Sequence, residues 1–119
     1  MNFKIKRNHL DGLVTKAVRL REKNICQRCG KYVTGQNSHA AHIMKRRNKT
    51  TRYYMPNIFH LCFNCHRWGH SEETAFKAWV KSVIGDEAYR NLELMARETW
   101  DKDEFKWKIY LEAFIRALS

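Results

Sequence analysis

Apolar positions in residues 9–23 recur at helical spacing: Leu10, Leu13, Val14, Ala17 and Val18 form one stripe, with Lys16, Arg19, Arg21 and Lys23 largely off it. That pattern predicts a helix. Between Cys26 and Cys65 the helical period fades, and Gly30, Gly35 and an Asn-Ser turn at 37–38 break the chain. This stretch predicts a knuckle, a short hairpin with strands at 39–43 and 57–61, and a loop between them. A helix should open near Asn64 or Cys65 and carry His66 and His70 on successive turns. Another should start at Ser71, with Glu72 and Glu73 in its first turn, where negative charge suits the positive end of the helix dipole. Phe76, Trp79, Val80 and Val83 are its expected core stripe and Gly85 its end. Asp86 should cap a short helix bearing Tyr89, Leu92 and Met95 or Ala96. Asp101-Lys102-Asp103-Glu104 resembles a capping box and should open the last helix, with Phe105, Ile109 and Phe114 inward. The whole reads as one domain over 1–119, in three parts: a basic N-terminal helix (1–24), a Cys- and His-rich core (25–70) and a helical scaffold (71–119).

Charge changes the picture more than composition does. Hydrophobic residues at 44% and charged residues at 29% are ordinary for a globular chain. There is no apolar run of about 18 residues and no secretory core at the N-terminus, so the sequence predicts a cytoplasmic protein without a membrane partner. In that compartment paired cysteines hold metal more often than they form disulfides. Against 12 acidic residues stand 23 Lys and Arg, a net charge of +11, gathered in 4–7, 16–23 and 45–52. A field of that sign attracts polyanions, nucleic acid first among them.

Two Cys-x-x-Cys pairs, Cys26/Cys29 and Cys62/Cys65, are separated by 32 residues. Such a knuckle bends the backbone so that both sulfurs face one ion, and zinc accepts four thiolates in a tetrahedron. The loop they close has little core of its own, so metal binding would supply folding free energy on the order of 10 kcal/mol. A closed four-thiolate site leaves zinc no open position, which makes these cysteines structural.

A second set of residues carries chemistry. His42 ends the first predicted strand, Asn57 opens the second, and His66 and His70 stand four apart on the following helix, where both can reach one divalent ion. Asn-x-x-x-Leu-Cys-x-x-Cys-His runs without a gap from Asn57 to His66. This order resembles the HNH, or ββα-metal, endonucleases. The resemblance implies an α+β, mostly α, fold with a small zinc-stabilised, treble-clef-like ββα-metal core, an N-terminal helix and a C-terminal helical region. It also implies His42 as general base, Asn57 as the residue orienting it or its loop, and a catalytic divalent metal (Mg2+, Mn2+, Ni2+ or Zn2+) on His66 and His70. Many such sequences place a metal ligand directly before the base; here that residue is Ala41, and His39 is a further candidate ligand.

His-Ala-Ala-His at 39–42, Arg46-Arg47, Thr51-Arg52-Tyr53, Gly69, Ile84-Gly85-Asp86-Glu87 and Leu92-Glu93 are similar to the NinG/Rap recombination proteins of lambdoid phages, although His66 stands where that family has asparagine. The similarity spans most of 10–118. It implies a phage-encoded DNA endonuclease for branched intermediates such as D-loops or Holliday junctions. Lys45, Arg46, Arg47, Lys49 and Arg52, in the loop after the base, are the expected DNA phosphate contacts. Tyr53, Tyr54 and Trp68 are candidates either to stack on unpaired bases or to pack in the core. A non-catalytic zinc-binding DNA module is the alternative, favoured by Ala41, and an RNA-directed zinc protein is a third reading. A single site cuts one strand, so symmetric junction cleavage would need a homodimer; the aromatic last helix (Phe105, Trp107, Tyr110, Phe114) is a candidate surface for it.

Overall fold

The computed structural model describes residues 9–99 and 103–119. It is a small α+β fold, mostly helical, with one two-stranded sheet. The N-terminal apolar stripe becomes α1 (His9–Glu22), which buries Leu10, Val14, Ala17 and Val18. Strands β1 (Ser38–His42) and β2 (Ile58–Cys62) pair antiparallel, with Ser38 opposite Cys62 and His42 opposite Ile58. Each strand sits one residue from its expected place. The 43–57 loop between them holds a single helical turn, α2 (Lys49–Arg52), and a 3-10 turn at Met55–Asn57. Helices α3 (Phe63–Ser71), α4 (Glu73–Ile84), α5 (Asp86–Ala96) and α6 (Glu104–Leu118) complete the chain.

Every residue of β2 is buried, because the sheet is covered on both faces. Alternation along the strand deals Ile58 to one core and Phe59 and Leu61 to the other. The first core joins α1 to α6 through Val14, Val18, Leu111 and Ile115, with Tyr53 and Met55 from the loop. The second joins the cysteine knuckles and Ala41 to Val80 of α4 and Tyr89 of α5.

Several boundaries and faces differ from the sequence reading. Ser71 closes α3 instead of opening α4, and Glu72 lies between the two helices. Gly85, at φ +92°, takes the cap position of α5, so Asp86 is its first helical residue. Val83 is 52% exposed while Ile84 packs on the core. In α6 the inward face is Leu111 and Ile115 with Trp107, Tyr110 and Phe114 beside them; Phe105 is 66% exposed and Ile109 50%. A helix apolar on nearly all sides does not name its own inner face, and contact with α1 chose it. Asp103 caps α6 by accepting from the Lys106 amide at 3.2 Å, whereas Asp101 and Lys102 lie outside the described residues, as does the 4–7 basic cluster. No helix among the described residues is long and apolar enough to cross a membrane.

Candidate metal centre and histidine cluster

The first knuckle is delivered by the end of α1. Lys23 and Asn24 take positive φ (54° and 63°), and the Asn24 amide donates back to the Arg19 carbonyl at 3.0 Å, a left-handed helix stop. The chain then folds back on itself: the Cys26 amide donates to the Lys31 carbonyl at 2.8 Å and the Gly30 amide to the Cys26 carbonyl at 2.9 Å. Gly30 at φ +81° supplies the turn that a side chain would resist. The second knuckle uses the junction of β2 and α3, where Cys62 caps the helix and its Sγ accepts from the Cys65 amide at 3.4 Å. A matching bond runs from the Cys29 amide to Cys26 Sγ at 3.5 Å.

These turns bring the four sulfurs within 4.8 Å of one another, with Cys29 and Cys62 at 3.8 Å. Sulfurs bound at ~2.3 Å around a tetrahedral zinc stand about 3.8 Å apart, so the donor set fits a structural ion such as zinc. All four thiols are free of disulfides, and three are buried. Arg28 adds positive charge where a thiolate cluster would carry negative: its Nη1 lies 3.5 Å from Cys65 Sγ, and its guanidinium stacks 3.5 Å above the Trp68 ring.

Beside this clamp lies a chain of three histidines. His66 Nδ1 is 2.9 Å from His39 Nδ1, and His66 Nε2 is 3.1 Å from His70 Nε2. The far nitrogen of His39, Nε2, is 2.9 Å from the Gln36 carbonyl, which can only accept. That carbonyl sets every tautomer in the neutral chain. His39 Nε2–H donates to Gln36, so His66 Nδ1–H donates to His39 and His70 Nε2–H donates to His66. Burial pushes the His66 imidazole down to about 4, with the charges of His70, His39 and His42 acting in the same direction. Neutral imidazole is the form that ligates metal. His66 and His70 meet through their Nε2 atoms and could share one ion, whereas His39 meets the opposite nitrogen of the His66 ring; among the described residues only the four cysteines bring three or more metal-binding donors together. His39 and Ala41 share a face of β1, so His39 stands one strand repeat from the position that Ala41 leaves without a ligand.

His42, at the end of β1, places Nε2 2.9 Å from the Arg52 backbone carbonyl. That acceptor fixes Nε2–H and leaves the Nδ1 lone pair as the basic nitrogen. Burial pushes His42 down to about 4, so the ring is neutral at physiological pH. Asn57 is fully buried and spans the 43–57 loop. Its Oδ1 accepts from the Met44 amide at 2.7 Å, and its Nδ2 donates to the Met44 and Thr51 carbonyls, each at 3.1 Å. The hydrogen bonds of the Asn57 side chain therefore go to the loop and not to His42.

Lys45, Arg46, Arg47 and Lys49 are exposed on that loop. Arg52 departs from the expectation of a free phosphate contact. Its side chain is only 17% exposed, and its guanidinium grips Asp11 of α1 through Nε at 3.0 Å and Nη2 at 2.5 Å. Arg46 also donates to Asp11, at 2.9 Å, but keeps 59% of its side chain in solvent. Burial alone would raise the Asp11 carboxyl; Arg52, with help from Arg46, outweighs it and holds the group below its ordinary value. Sequence reasoning missed Asp11. Its signal was an acidic residue on the apolar stripe of α1, the only one in the first 21 positions.

His60 and the aromatic residues named as stacking candidates have partners within the fold. His60 is buried with both ring nitrogens satisfied, Nδ1 donating to the Ile25 carbonyl at 2.8 Å and Nε2 accepting from Ser38 Oγ at 2.7 Å. Tyr53 is 1% exposed in the first core against Trp107, and Tyr54 stacks on Tyr110. Trp68 lies under Arg28. His9 is an exposed first residue of α1. No protein-family model, curated protein or solved structure matches the chain.

Proposed function

We propose that the chain is a metal-dependent endonuclease of the HNH type, hydrolysing DNA phosphodiester bonds on a zinc-stabilised ββα-metal core. The observation that carries the reading is the set of His42, held neutral with Nε2 on a backbone carbonyl and Nδ1 free, and the neighbouring His39–His66–His70 chain. Phosphodiester hydrolysis needs a base for the attacking water and positive charge at the phosphate. His42 Nδ1 takes the proton from a water aligned on phosphorus as the bond to the leaving sugar oxygen breaks. His66 and His70, which meet through their Nε2 atoms, would hold the divalent ion, with His39 supporting His66 from its other nitrogen. When bound, that ion supplies Lewis-acid stabilisation of the phosphate and its leaving oxygen. Asn57 keeps the loop, and with it the Arg52 carbonyl, in place. Lys45, Arg46, Arg47 and Lys49 present the charge to bind flanking phosphates, a mode that reads backbone and shape more than sequence. Resemblance to the NinG/Rap proteins makes branched recombination intermediates the substrate of choice, with two copies required to cut both strands of a junction.

The test is nicking of plasmid and branched-junction DNA with magnesium, manganese or nickel, wild type against His42→Ala. Wild type should cut, and the variant should lose at least about a hundredfold in rate, the usual contribution of a general base. Cleavage that survives His42→Ala would sink the assignment of the base. Ala41, 1% exposed and packed in the second core, favours a second reading, a zinc-binding DNA module without catalysis. Tight DNA binding with no cleavage under any metal would select it. Preference for RNA in competition would select an RNA-directed protein instead.

A further inference from the structure

The turn that carries the His42 acceptor cannot hold itself. Helix α2 is four residues long, its first residue has no side-chain cap, and one helical turn is unstable alone. Two outside groups fasten it. Asn57, from the same loop, takes the Thr51 carbonyl. Asp11, from α1, takes the next residue: both carboxylate oxygens are engaged by Arg52, through Nε at 3.0 Å and Nη2 at 2.5 Å. The pair is largely withdrawn from solvent, with Asp11 8% exposed, so its hydrogen bonds are directional and costly to break one at a time. Arg52 then offers its own backbone carbonyl to His42 Nε2 at 2.9 Å.

We propose that Asp11 is a positioning residue for His42: by clamping Arg52 it fixes the carbonyl that selects the Nε2–H tautomer and leaves Nδ1 basic. The inference rests on the reading of His42 as general base. It assigns α1 a part in the site, since the helix carries the carboxylate that sets the loop against the strand. It also accounts for an arginine in the basic loop that faces inward. Arg52 joins α1 to the base, while Arg46, sharing the same carboxylate from the solvent side, stays available to a phosphate.

The test uses the full zinc-loaded chain labelled with 15N-histidine, comparing wild type with Asp11→Asn and Arg52→Lys. Lysine keeps the charge and the peptide carbonyl but cannot make the bidentate contact. Wild type should show His42 as one neutral Nε2–H tautomer. Each variant should show a mixture with Nδ1–H, and kcat for nicking should fall about tenfold while KM stays within about twofold. If Asp11→Asn does not fold, Arg52→Lys carries the same readout. A folded variant of either kind that keeps a single Nε2–H tautomer overturns the proposal, whatever its stability. The ring spectrum needs no cleavage, so a wild type that binds DNA without cutting it would defeat the nuclease reading, while the His42 tautomer in the two variants would still uphold or overturn the role of Asp11.

Discussion

His42 and His60, on the two paired strands of the hairpin, show how differently one residue type is used. His60 spends both nitrogens on protein partners, whereas His42 spends one and keeps the other. Burial also governs when His42 charges. Its folded value of about 4 lies below the ~6.5 of an unfolded histidine, so the folded state binds fewer protons between those limits. The stability this group contributes is therefore complete above about pH 6.5 and is lost as pH falls toward 4. By NMR, the His42 ring should still be neutral at pH 5.5, where histidines of the urea-unfolded chain are about 90% protonated. A titration midpoint above 6 would contradict the burial that the fold gives it.

At the scale of elements, α1 and α6 form the support on which the hairpin rests. Leu111 is fully buried where α6 meets α1, so Leu111→Ala should cost about 2–5 kcal/mol in urea unfolding of the zinc-loaded protein. Phe105→Ala and Ile109→Ala, on the exposed face, should each stay within about 0.5 kcal/mol. Equal losses from both faces would mean that α6 packs differently from the arrangement described. The strands, α3 and the α4–α5 break were legible because alternation, Cys62-x-x-Cys65 and Gly85 are local signals. The inner face of α6 was not, because Phe105, Trp107, Ile109, Tyr110, Leu111, Phe114 and Ile115 surround the helix with apolar side chains.

For the whole molecule, the cysteine clamp is the point at which α1, the hairpin and α3 are tied together. Cys26 and Cys29 follow α1, while Cys62 and Cys65 join β2 to α3. Metal free energy on the order of 10 kcal/mol is comparable to the entire ~5–15 kcal/mol stability of a domain. Removing zinc with a strong chelator should therefore unfold the core cooperatively, seen as loss of far-UV circular dichroism and of amide protection in β1 and β2, and returning zinc should restore it. Cys62→Ser should reproduce the chelated state. A metal-free protein with unchanged dichroism and melting temperature would show that the two apolar cores suffice.

Periodicity, turn residues and Cys-x-x-Cys spacing determined the helices, the two strands and the two knuckles, since each depends on residues a few positions apart. The histidine chain and the Asp11–Arg52–His42 connection were decided by tertiary structure. Their contacts join residues 27 and 41 positions apart in sequence, His39 to His66 and Asp11 to Arg52. No local period encodes such a pairing. It follows from the covering of both sheet faces, which sets α1 against the 43–57 loop and α3 against β1. The same covering turns an arginine expected at a phosphate into the brace of a buried carboxylate.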